Sequence, residues 1–267
     1  MNNLNKKIIV LTGALGLLGK SITESLAENN AKILMLDIKN KNEMNKIKDF
    51  KIIKNNLFYF KCDVTKINHL RRIEKKISNK FNRIDVLINA AAVTDAVENK
   101  PKPKLSMFEN FPLKDWNKSL VGNLNSMFLC SQIFGKKMIK QKKSSIINIA
   151  STYGIVGPDQ RIYINKKFQQ TFYKNPAYPT SKGAVISFTK YLAAYWGKKG
   201  VRVNSISPGG IENKQNKEFI KSYSSRTLLG RMANTSDVVG VVKFLCGDES
   251  SYITGSNIVV DGGWTAI

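Results

Sequence analysis

KKIIVLTGALGLLGK, residues 6–20, allows two opposite interpretations. Two lysines followed by an apolar run are typical of the start of a secretory signal. The same letters also describe a strand that runs into a glycine-rich turn, and such turns hold nucleotide phosphates. The first interpretation removes the segment from the mature protein, whereas the second makes it a cofactor site. The remainder of the chain decides between them.

Strand-like apolar runs alternate with helix-like segments over all 267 residues. Amphipathic stretches at 69–81 and 116–139 are long enough for crossover helices. This alternation predicts an α/β fold, a doubly wound parallel sheet of about seven strands in a single domain, 1–267. A signal sequence has no reason to precede such units in register, so we expect residues 6–20 to be retained and the protein to be cytoplasmic. The predicted strands are KIIVL (7–11), KILMLD (32–37), LFYFKCD (57–63), DVLIN (85–89), SIINIA (145–150), VRVNSI (201–206) and NIVVD (257–261).

The composition is strongly basic, with 43 Lys and Arg against 19 Asp and Glu and a formal charge of +24. A coding bias that leaves lysines on solvated helix faces is the favoured explanation of this excess, and an anionic small substrate or a polyanion is the alternative. No nucleic-acid motif accompanies the charge, so we predict no specific nucleic-acid partner. No apolar run reaches the roughly 20 residues of a membrane span, so we predict no membrane association.

Cysteine and histidine are too few and too scattered for several kinds of chemistry. Cys62, Cys130 and Cys246 are far apart and form no CxxC pair, which argues against a disulfide framework or a zinc site. His69 is the only histidine, so a Ser-His-Asp triad and a multi-histidine metal site are excluded. We therefore predict no metal.

Three glycines, Gly13, Gly16 and Gly19, follow the first strand and Thr12, and a helix is predicted from about residue 17 to 28. Glycines let the backbone approach a pyrophosphate, and a helix N-terminus directs N–H groups at the anion. Asp37 ends the next strand, where a carboxylate binds the adenosine ribose hydroxyls. A carboxylate there repels a 2′-phosphate, so NAD is favoured over NADP.

Lys39 and Lys41 lie just beyond this carboxylate and could pair with a 2′-phosphate, so NADP remains an alternative cofactor.

Two further segments interrupt the alternation of strands and helices. Residues 98–112 are rich in Pro and Lys and predict an exposed loop. Residues 153–176 are long, aromatic and basic, and they read as an insertion between a strand and a helix, where binding surfaces are often built.

Tyr178 and Lys182 are four residues apart and project from one face of a predicted helix. A phenol has a pKa of about 10, so a base near neutral pH requires a lowering of roughly two pH units, about 2.7 kcal/mol. An adjacent ammonium can supply that amount. Without their context the two residues would be ordinary surface side chains.

With this pair the chain resembles the short-chain dehydrogenase/reductase family over almost its whole length. TGALGLLG is similar to the family's cofactor motif, CDV (62–64) to its adenine-side aspartate, and NAAA (89–92) to its NNAG. SPGGI (207–211) resembles the turn beside the nicotinamide, and 230–264 resembles the C-terminal helix and last strand. The chain departs from the family pattern in three places. Its glycine turn has the T-G-x-x-G-x-x-G spacing, and Ala90 and Ala92 replace the second Asn and the Gly of NNAG. Ser151 and Tyr178 are also farther apart than is usual.

The resemblance implies a Rossmann fold and a catalytic set of Asn123, Ser151, Tyr178 and Lys182. Tyr178 then exchanges a proton with an alcohol or ketone, and Lys182 lowers its pKa and binds the nicotinamide ribose. Ser151 holds the reacting oxygen, and Asn123 positions a water. A homotetramer or homodimer is also implied. The implied cofactor-binding residues are Thr12, Gly13, Leu15, Gly16, Leu17, Leu18, Gly19, Asp37, Asp63, Val64, Asn89, Ala90, Ala91, Tyr178, Lys182, Pro208, Gly209 and Ile211.

The insertion resembles that of reductases in bacterial surface-sugar and flagellin-modification pathways. We therefore expect a small-molecule substrate, a sugar or an anionic sugar derivative. A solvated lid, a 3-oxoacyl carrier-protein reductase and a non-catalytic nucleotide sensor remain alternatives. Candidate substrate residues are Arg161, Lys166, Lys167 and Lys174, which would grip a phosphate or carboxylate, and Tyr163, Phe168 and Phe172, which would stack on a sugar face.

Overall fold

A seven-stranded parallel sheet lies at the centre of the structure, a computed structural model that describes residues 4–47, 50–93 and 103–267. Its strand order is β3-β2-β1-β4-β5-β6-β7, and every strand pair is parallel. The predicted fold class is confirmed, and each predicted strand is present within two residues of its expected ends. The strands are β1 (Ile8–Thr12), β2 (Lys32–Asp37), β3 (Leu57–Lys61), β4 (Val86–Asn89), β5 (Ser144–Ile149), β6 (Val201–Pro208) and β7 (Asn257–Val260).

Helices cover both faces of this sheet. Strand side chains alternate between the faces, so Ile9 and Leu11 pack with α1 and α9, whereas Ile8 and Val10 pack with α3, α6 and α7. Burial on both faces explains why the strands are almost continuously apolar. The helices are α1 (Leu17–Glu28), α2 (Phe50–Ile53), α3 (Ile67–Lys80), α4 (Pro103–Ser106), α5 (Leu113–Leu120), α6 (Ser126–Met138), α7 (Ala177–Trp196), α8 (Lys217–Ser224) and α9 (Thr235–Cys246).

The crossover direction reverses at β1, which lies between β2 and β4. Chain segments leave the carboxyl ends of β1 and β4 in opposite directions, and a crevice opens between these two strands. The glycine turn after β1 and the segments after β4 and β5 all meet at this edge. The fold thus brings the predicted motifs to one place.

Two predicted elements differ from the structure. The helix expected at 116–139 begins earlier, at Leu113, and a π-helical turn, Val121–Asn125, separates α5 from α6. Part of the expected exposed loop, 98–102, lies outside the described residues. Its remainder forms α4 and a short 3₁₀ turn, and the buried Ser106 Oγ accepts a hydrogen bond from the Tyr173 backbone N–H at 3.0 Å. Residues 103–112 are therefore docked on the insertion.

The insertion, residues 153–176, folds into 3₁₀ turns and a short antiparallel bridge between Ile164 and Gln170. Its apolar side chains pack against α8 and the C-terminal segment rather than against the sheet. This third cluster, which we call the aromatic cluster, contains Ile162, Tyr163, Phe172, Tyr223, Met232 and Trp264, with Tyr153, Phe219 and Ile220 packed on it.

Candidate active site

The carboxyl ends of β1 and β4 are joined by a side chain. The Thr12 Oγ1 accepts hydrogen bonds from the backbone N–H groups of Ala90 and Ala91, each at 3.1 Å. The turn after β1 approaches the end of β4 closely, because a Cβ on Gly13 would lie 2.8 Å from the Ala91 Cα. Gly13 also has a φ of +67°. Glycine is therefore required where the turn meets β4.

The same turn folds tightly under the start of α1. A Cβ on Gly19 would lie 2.1 Å from the Gly13 carbonyl oxygen, and the Gly16 N–H donates to that oxygen at 3.0 Å. Gly16 caps α1 without a side chain. The N-terminus of this 12-residue helix thus has no side-chain cap, and the cradle formed by the glycine turn and the helix N-terminus fits a pyrophosphate.

Asp37 links the glycine turn to the end of β2. Its Oδ2 accepts a hydrogen bond from the Leu15 N–H at 2.8 Å, and its Oδ1 accepts one from the Lys39 N–H at 2.9 Å. Each carboxylate oxygen has two acceptor sites, so capacity remains for ribose hydroxyls. The Lys39 Nζ donates to the Leu15 carbonyl at 3.1 Å, which brings an ammonium to the same place.

The other predicted cofactor residues lie along this edge of the sheet. The Asp63 Oδ1 accepts hydrogen bonds from the Thr65 N–H and Oγ1, and Val64 packs in the core. The buried Asn89 Nδ2 donates to the Asn148 Oδ1 at 2.9 Å, which ties β4 to β5. Leu17 is exposed, whereas Leu18 lines the cleft described next.

A cleft of about 320 Å³ opens beside the cradle. Ser151, Tyr178 and Lys182 line it together with Ala90 and Ala92 from the end of β4. The turn after β6 contributes Pro208, Gly209, Gly210 and Ile211. Residues separated by more than 100 positions in the chain thus converge on one space, where the sequence predicted catalysis.

Lys182 is buried below Tyr178 on α7. Its Nζ donates to the Ile149 carbonyl oxygen at 2.7 Å and lies 5.7 Å from the centre of the Tyr178 ring. Burial lowers the pKa of Lys182 to about 8, because the charged form loses its hydration. Near neutral pH the group is still an ammonium, placed where it favours the ionised form of Tyr178.

Ser151 is held at the end of β5 by the turn that follows it. Its Oγ accepts a hydrogen bond from the Tyr153 N–H at 3.2 Å. The neighbouring Thr152 Oγ1 donates to the Pro208 carbonyl at 2.9 Å, which fixes this turn to the end of β6. The Ser151 hydroxyl can still donate, as the group that holds a reacting oxygen must.

Asn123 lies in the π-helical turn, and its side chain is fully buried. Its Oδ1 accepts from the Val93 N–H at 2.7 Å, while its Nδ2 donates to the Ser119 and Ser181 hydroxyls. The amide is thus committed to protein groups and ties α5, α7 and the segment after β4 together. π-helical turns recur at functional sites, and this one is bonded through Asn123 and Ser181 to α7, the helix that carries Tyr178 and Lys182.

An aromatic wall, formed by Tyr153, Tyr163, Phe219 and Tyr223, lines the same cleft as Ser151, Tyr178 and Lys182. Burial raises the pKa of Tyr223 to about 12 and raises that of Tyr153 still further, so both phenols stay protonated. The Tyr223 hydroxyl accepts the Gly210 N–H, and its ring stacks on Trp264 at 4.4 Å. Sequence reasoning missed Tyr153, Phe219, Tyr223 and Met232 as lining residues.

The structure does not bring three predicted substrate residues to the cleft. Arg161 forms two hydrogen bonds of 2.9 Å with Asp159, and Lys166 pairs with Glu218 at 3.4 Å. Lys167 is exposed, and none of the three is among the described lining residues. Of the other candidates, Phe168 is exposed and Phe172 is buried in the aromatic cluster, whereas Tyr163 and Lys174 line the cleft.

A family model described as Enoyl-(Acyl carrier protein) reductase matches residues 13–265, nearly the whole chain. This match includes the cradle, the cleft and the last strand. The chain is a short-chain dehydrogenase/reductase. The family predicted from the sequence is confirmed.

Several relatives of this dehydrogenase/reductase carry more specific names. A NAD-dependent glycerol dehydrogenase of Listeria innocua is 29% identical, over 98% of this chain and 95% of its own length. The 3-oxoacyl-acyl-carrier-protein reductase FabG of Thermotoga maritima is 31% identical, over 97% and 98%. A short-chain dehydrogenase of Leptospira borgpetersenii, solved with bound NAD⁺, is 34% identical with a TM-score of 0.85, over 98% and 93%.

The short-chain dehydrogenase/reductase therefore uses a nicotinamide cofactor and acts on an alcohol or carbonyl group. Among residues 4–47, 50–93 and 103–267, no three His, Cys, Asp or Glu side chains lie together as a metal site. Within the same residues no helix has the length and apolar composition of a bilayer crossing.

Proposed function

We propose that the protein is a NAD-dependent oxidoreductase of a polyol, a sugar or a sugar derivative, interconverting a secondary alcohol and a ketone. The observation that carries this proposal is the convergence of Ser151, Tyr178 and Lys182 on one cleft with an aromatic wall. The sensor alternative loses support, since Ser151 and Tyr178, which cofactor binding alone does not require together, line the same cleft as Lys182.

Tyr178 removes the proton from the substrate hydroxyl, or returns it to the carbonyl in the reverse direction. Ser151 donates a hydrogen bond to the same oxygen and holds it against Tyr178. Lys182 stabilises the ionised phenol and binds the nicotinamide ribose. Hydride transfer would be the chemistry supplied by a nicotinamide cofactor bound beside these residues.

Asn123 acts as a positioning residue in this scheme. Because its amide is already hydrogen-bonded to Val93, Ser119 and Ser181, its contribution is to fix the π-helical turn. Any water that relays the proton is then bound by the backbone of that turn, rather than by the Asn123 side chain as the sequence suggested.

NAD is preferred over NADP in our proposal because Asp37 presents a carboxylate at the end of β2. A 2′-phosphate there would meet an anion that is 6% exposed and fixed by two backbone N–H groups. The ammonium of Lys39 opposes this effect. Parallel titrations with NADH and NADPH test the preference, and tighter binding of NADPH would refute it.

The polyol or sugar substrate is supported by the aromatic wall of the cleft. Tyr163 stacks on Phe219 with ring centres 5.6 Å apart, which gives an aromatic surface of the kind that packs on the C–H face of a sugar. The glycerol dehydrogenase relative carries the name of a polyol enzyme, which agrees with this proposal. The resemblance to surface-sugar reductases stays a prediction.

A 3-oxoacyl carrier-protein reductase is the second candidate. It is favoured by the FabG relative, by the description of the family model and by the charge of +24, which suits an acidic carrier protein. Turnover of an oxoacyl carrier protein in preference to all polyols and keto sugars would establish it.

We also propose a homodimer or homotetramer built on the outer faces of α6 and α7. Phe128, Phe188, Tyr191 and Tyr195 form a ladder of ring contacts there, with consecutive centres 5.9–6.4 Å apart. Tyr191 and Tyr195 are more than half exposed in the single chain. Such a contiguous aromatic surface is typical of a subunit interface.

The first experiment follows nicotinamide absorbance with NAD or NADP and a panel of polyols, sugars and secondary alcohols, with oxoacyl carriers and keto sugars in reverse. Tyr178→Phe should abolish turnover and leave the NADH dissociation constant within about threefold of the wild-type value. Tyr252→Phe, at a fully exposed tyrosine, is the matched control. Full activity of Tyr178→Phe would refute the catalytic assignment.

A further inference from the structure

The turn after β6, residues 208–211, lines the cleft on which Ser151, Tyr178 and Lys182 converge. Hydride transfer requires the nicotinamide ring to lie beside the substrate carbon at Tyr178, and therefore in this cleft. Reacting groups have to be held within about 0.5 Å of a productive geometry. Whatever fixes the shape of this turn therefore influences how the ring is seated.

Two peptide groups of the turn form three hydrogen bonds. The Gly209 N–H donates to the Val260 carbonyl of β7 at 2.9 Å, and the Gly210 carbonyl accepts from the Ala233 N–H at 2.9 Å. The Gly210 N–H donates to the Tyr223 hydroxyl. This third bond joins the turn to a side chain of α8, whereas the other two join it to backbone.

Open space borders the turn. Gly209, Gly210 and Tyr223 line the cleft and also line a second cavity, of about 210 Å³. Packing therefore restrains the turn less than it restrains a fully buried loop, and the hydrogen bonds carry more of that task. If the phenol oxygen were removed, the Gly210 N–H would lose its partner, and the turn would have room to move.

Tyr223 is itself held firmly by the aromatic cluster. It is 4% exposed and stacks on Trp264 with ring centres 4.4 Å apart. Phe219, one helical turn earlier on α8, lies 6.0 Å from the same ring. A Cβ on Gly210 would lie 2.7 Å from the Tyr223 Cζ, so glycine permits the close approach of the phenol. The cluster thus seats the hydroxyl against the turn.

We propose that Tyr223 is a positioning residue for the nicotinamide ring, because it holds the Gly210 N–H and with it the shape of the turn after β6. The bond orders the turn before the cofactor arrives, so the cofactor does not bear the cost of ordering it. Tyr223 also belongs to the aromatic wall of the cleft. One phenol thus connects that wall with the turn that receives the cofactor.

This inference rests on the proposed function, because it takes the cleft as the place where nicotinamide and substrate meet. A cofactor fragment distinguishes positioning of the ring from general support of the fold. ADP-ribose keeps the adenosine and the pyrophosphate but has no nicotinamide. A variant that only damages the fold should weaken both ligands alike, whereas one that releases the turn should weaken the complete cofactor alone.

The test measures dissociation constants by calorimetric titration of the protein with NADH and with ADP-ribose. If NADPH binds more tightly than NADH, then NADPH and 2′-phospho-ADP-ribose replace this pair. Tyr223→Phe keeps the ring and its stacking but removes the acceptor, so it should weaken binding of the dinucleotide by about five- to fiftyfold. Binding of the matching ADP-ribose should stay within about twofold of the wild-type value.

Phe172→Leu is the matched control, since it loosens the same aromatic cluster without removing the phenol. It should lower the midpoint of thermal unfolding at least as much as Tyr223→Phe and leave the ratio of the two dissociation constants within about twofold of wild type.

Equal weakening of both ligands by Tyr223→Phe would overturn the inference, as would an unchanged affinity for the dinucleotide or an equal shift of the ratio in Phe172→Leu. Failure of the proposed function shows separately, as turnover that survives Tyr178→Phe. The binding titrations report on Tyr223 whatever the substrate is.

Discussion

Replacing Lys182 with methionine should change how the stability of the protein depends on pH. The ammonium is 2% exposed, and burial lowers its pKa from an ordinary 10.5 to about 8. Because the folded-state pKa is the lower one, the unfolded chain binds a proton between pH 8 and 10.5 that the folded chain has lost. The stability contributed by this group therefore rises with pH in that window.

The magnitude follows from the two values. A difference of 2.5 between 10.5 and about 8, at about 1.36 kcal/mol for each pH unit, amounts to about 3 kcal/mol. Below pH 8 the wild-type protein carries this full cost of a buried charge. Lys182→Met does not carry it, so the variant's free energy of unfolding relative to wild type should fall by about 3 kcal/mol as pH rises from 8 to 10.5.

The assay is urea unfolding of the cofactor-free protein, followed by far-UV circular dichroism at intervals from pH 7 to 10.5. Lys190→Met, at an exposed lysine on the same helix, is the control and should show a constant difference from wild type. A stability difference for Lys182→Met that is the same at pH 7 and pH 10.5 would show that burial does not depress this pKa.

Two further changes probe the cradle and the outer faces of α6 and α7. Gly19→Ala should weaken NADH binding by at least tenfold and destabilise the fold by about 1–3 kcal/mol, because its Cβ meets the Gly13 carbonyl. Gly240→Ala on α9, where a Cβ meets nothing within 4 Å, is the control and should bind NADH normally. Normal NADH binding by Gly19→Ala, or weakened binding by Gly240→Ala, would contradict the argument that a Cβ at Gly19 disturbs the glycine turn. Tyr191→Glu should lower the mass measured by sedimentation to that of a monomer, whereas an unchanged mass would place the interface elsewhere.

The sheet could be predicted from the sequence because its physical signal is local. The five inner strands are buried on both faces, so each appears as an apolar run that can be recognised without knowledge of its neighbours. The α1 helix was placed correctly at residues 17–28 for a similar reason, since the glycine turn marks its start. The π-helical turn, Val121–Asn125, leaves no such mark, because its residue types suit an ordinary helix.

The cleft could be predicted only in part. Tyr178 and Lys182 share a helix face, so their spacing reveals them. Tyr223 and Met232 reach the cleft through the docking of α8 and the segment after it, and nothing local predicts that docking. Arg161 shows that a positive charge in the insertion does not by itself identify a substrate contact. Asp159, two residues earlier in the sequence, binds the Arg161 guanidinium and accounts for its position away from the cleft.

The aromatic cluster has a consequence for how this protein changes over evolutionary time. Within the described residues it shares no member with the two clusters that pack against the sheet. Substitutions within the cluster should therefore change the substrate side of the cleft with little effect on the packing against the sheet, so specificity can evolve while the scaffold is kept. The same separation guides engineering. Residues 153–176 and α8 contact each other through Tyr163 and Phe219, so a change of specificity by segment exchange has to replace both segments together.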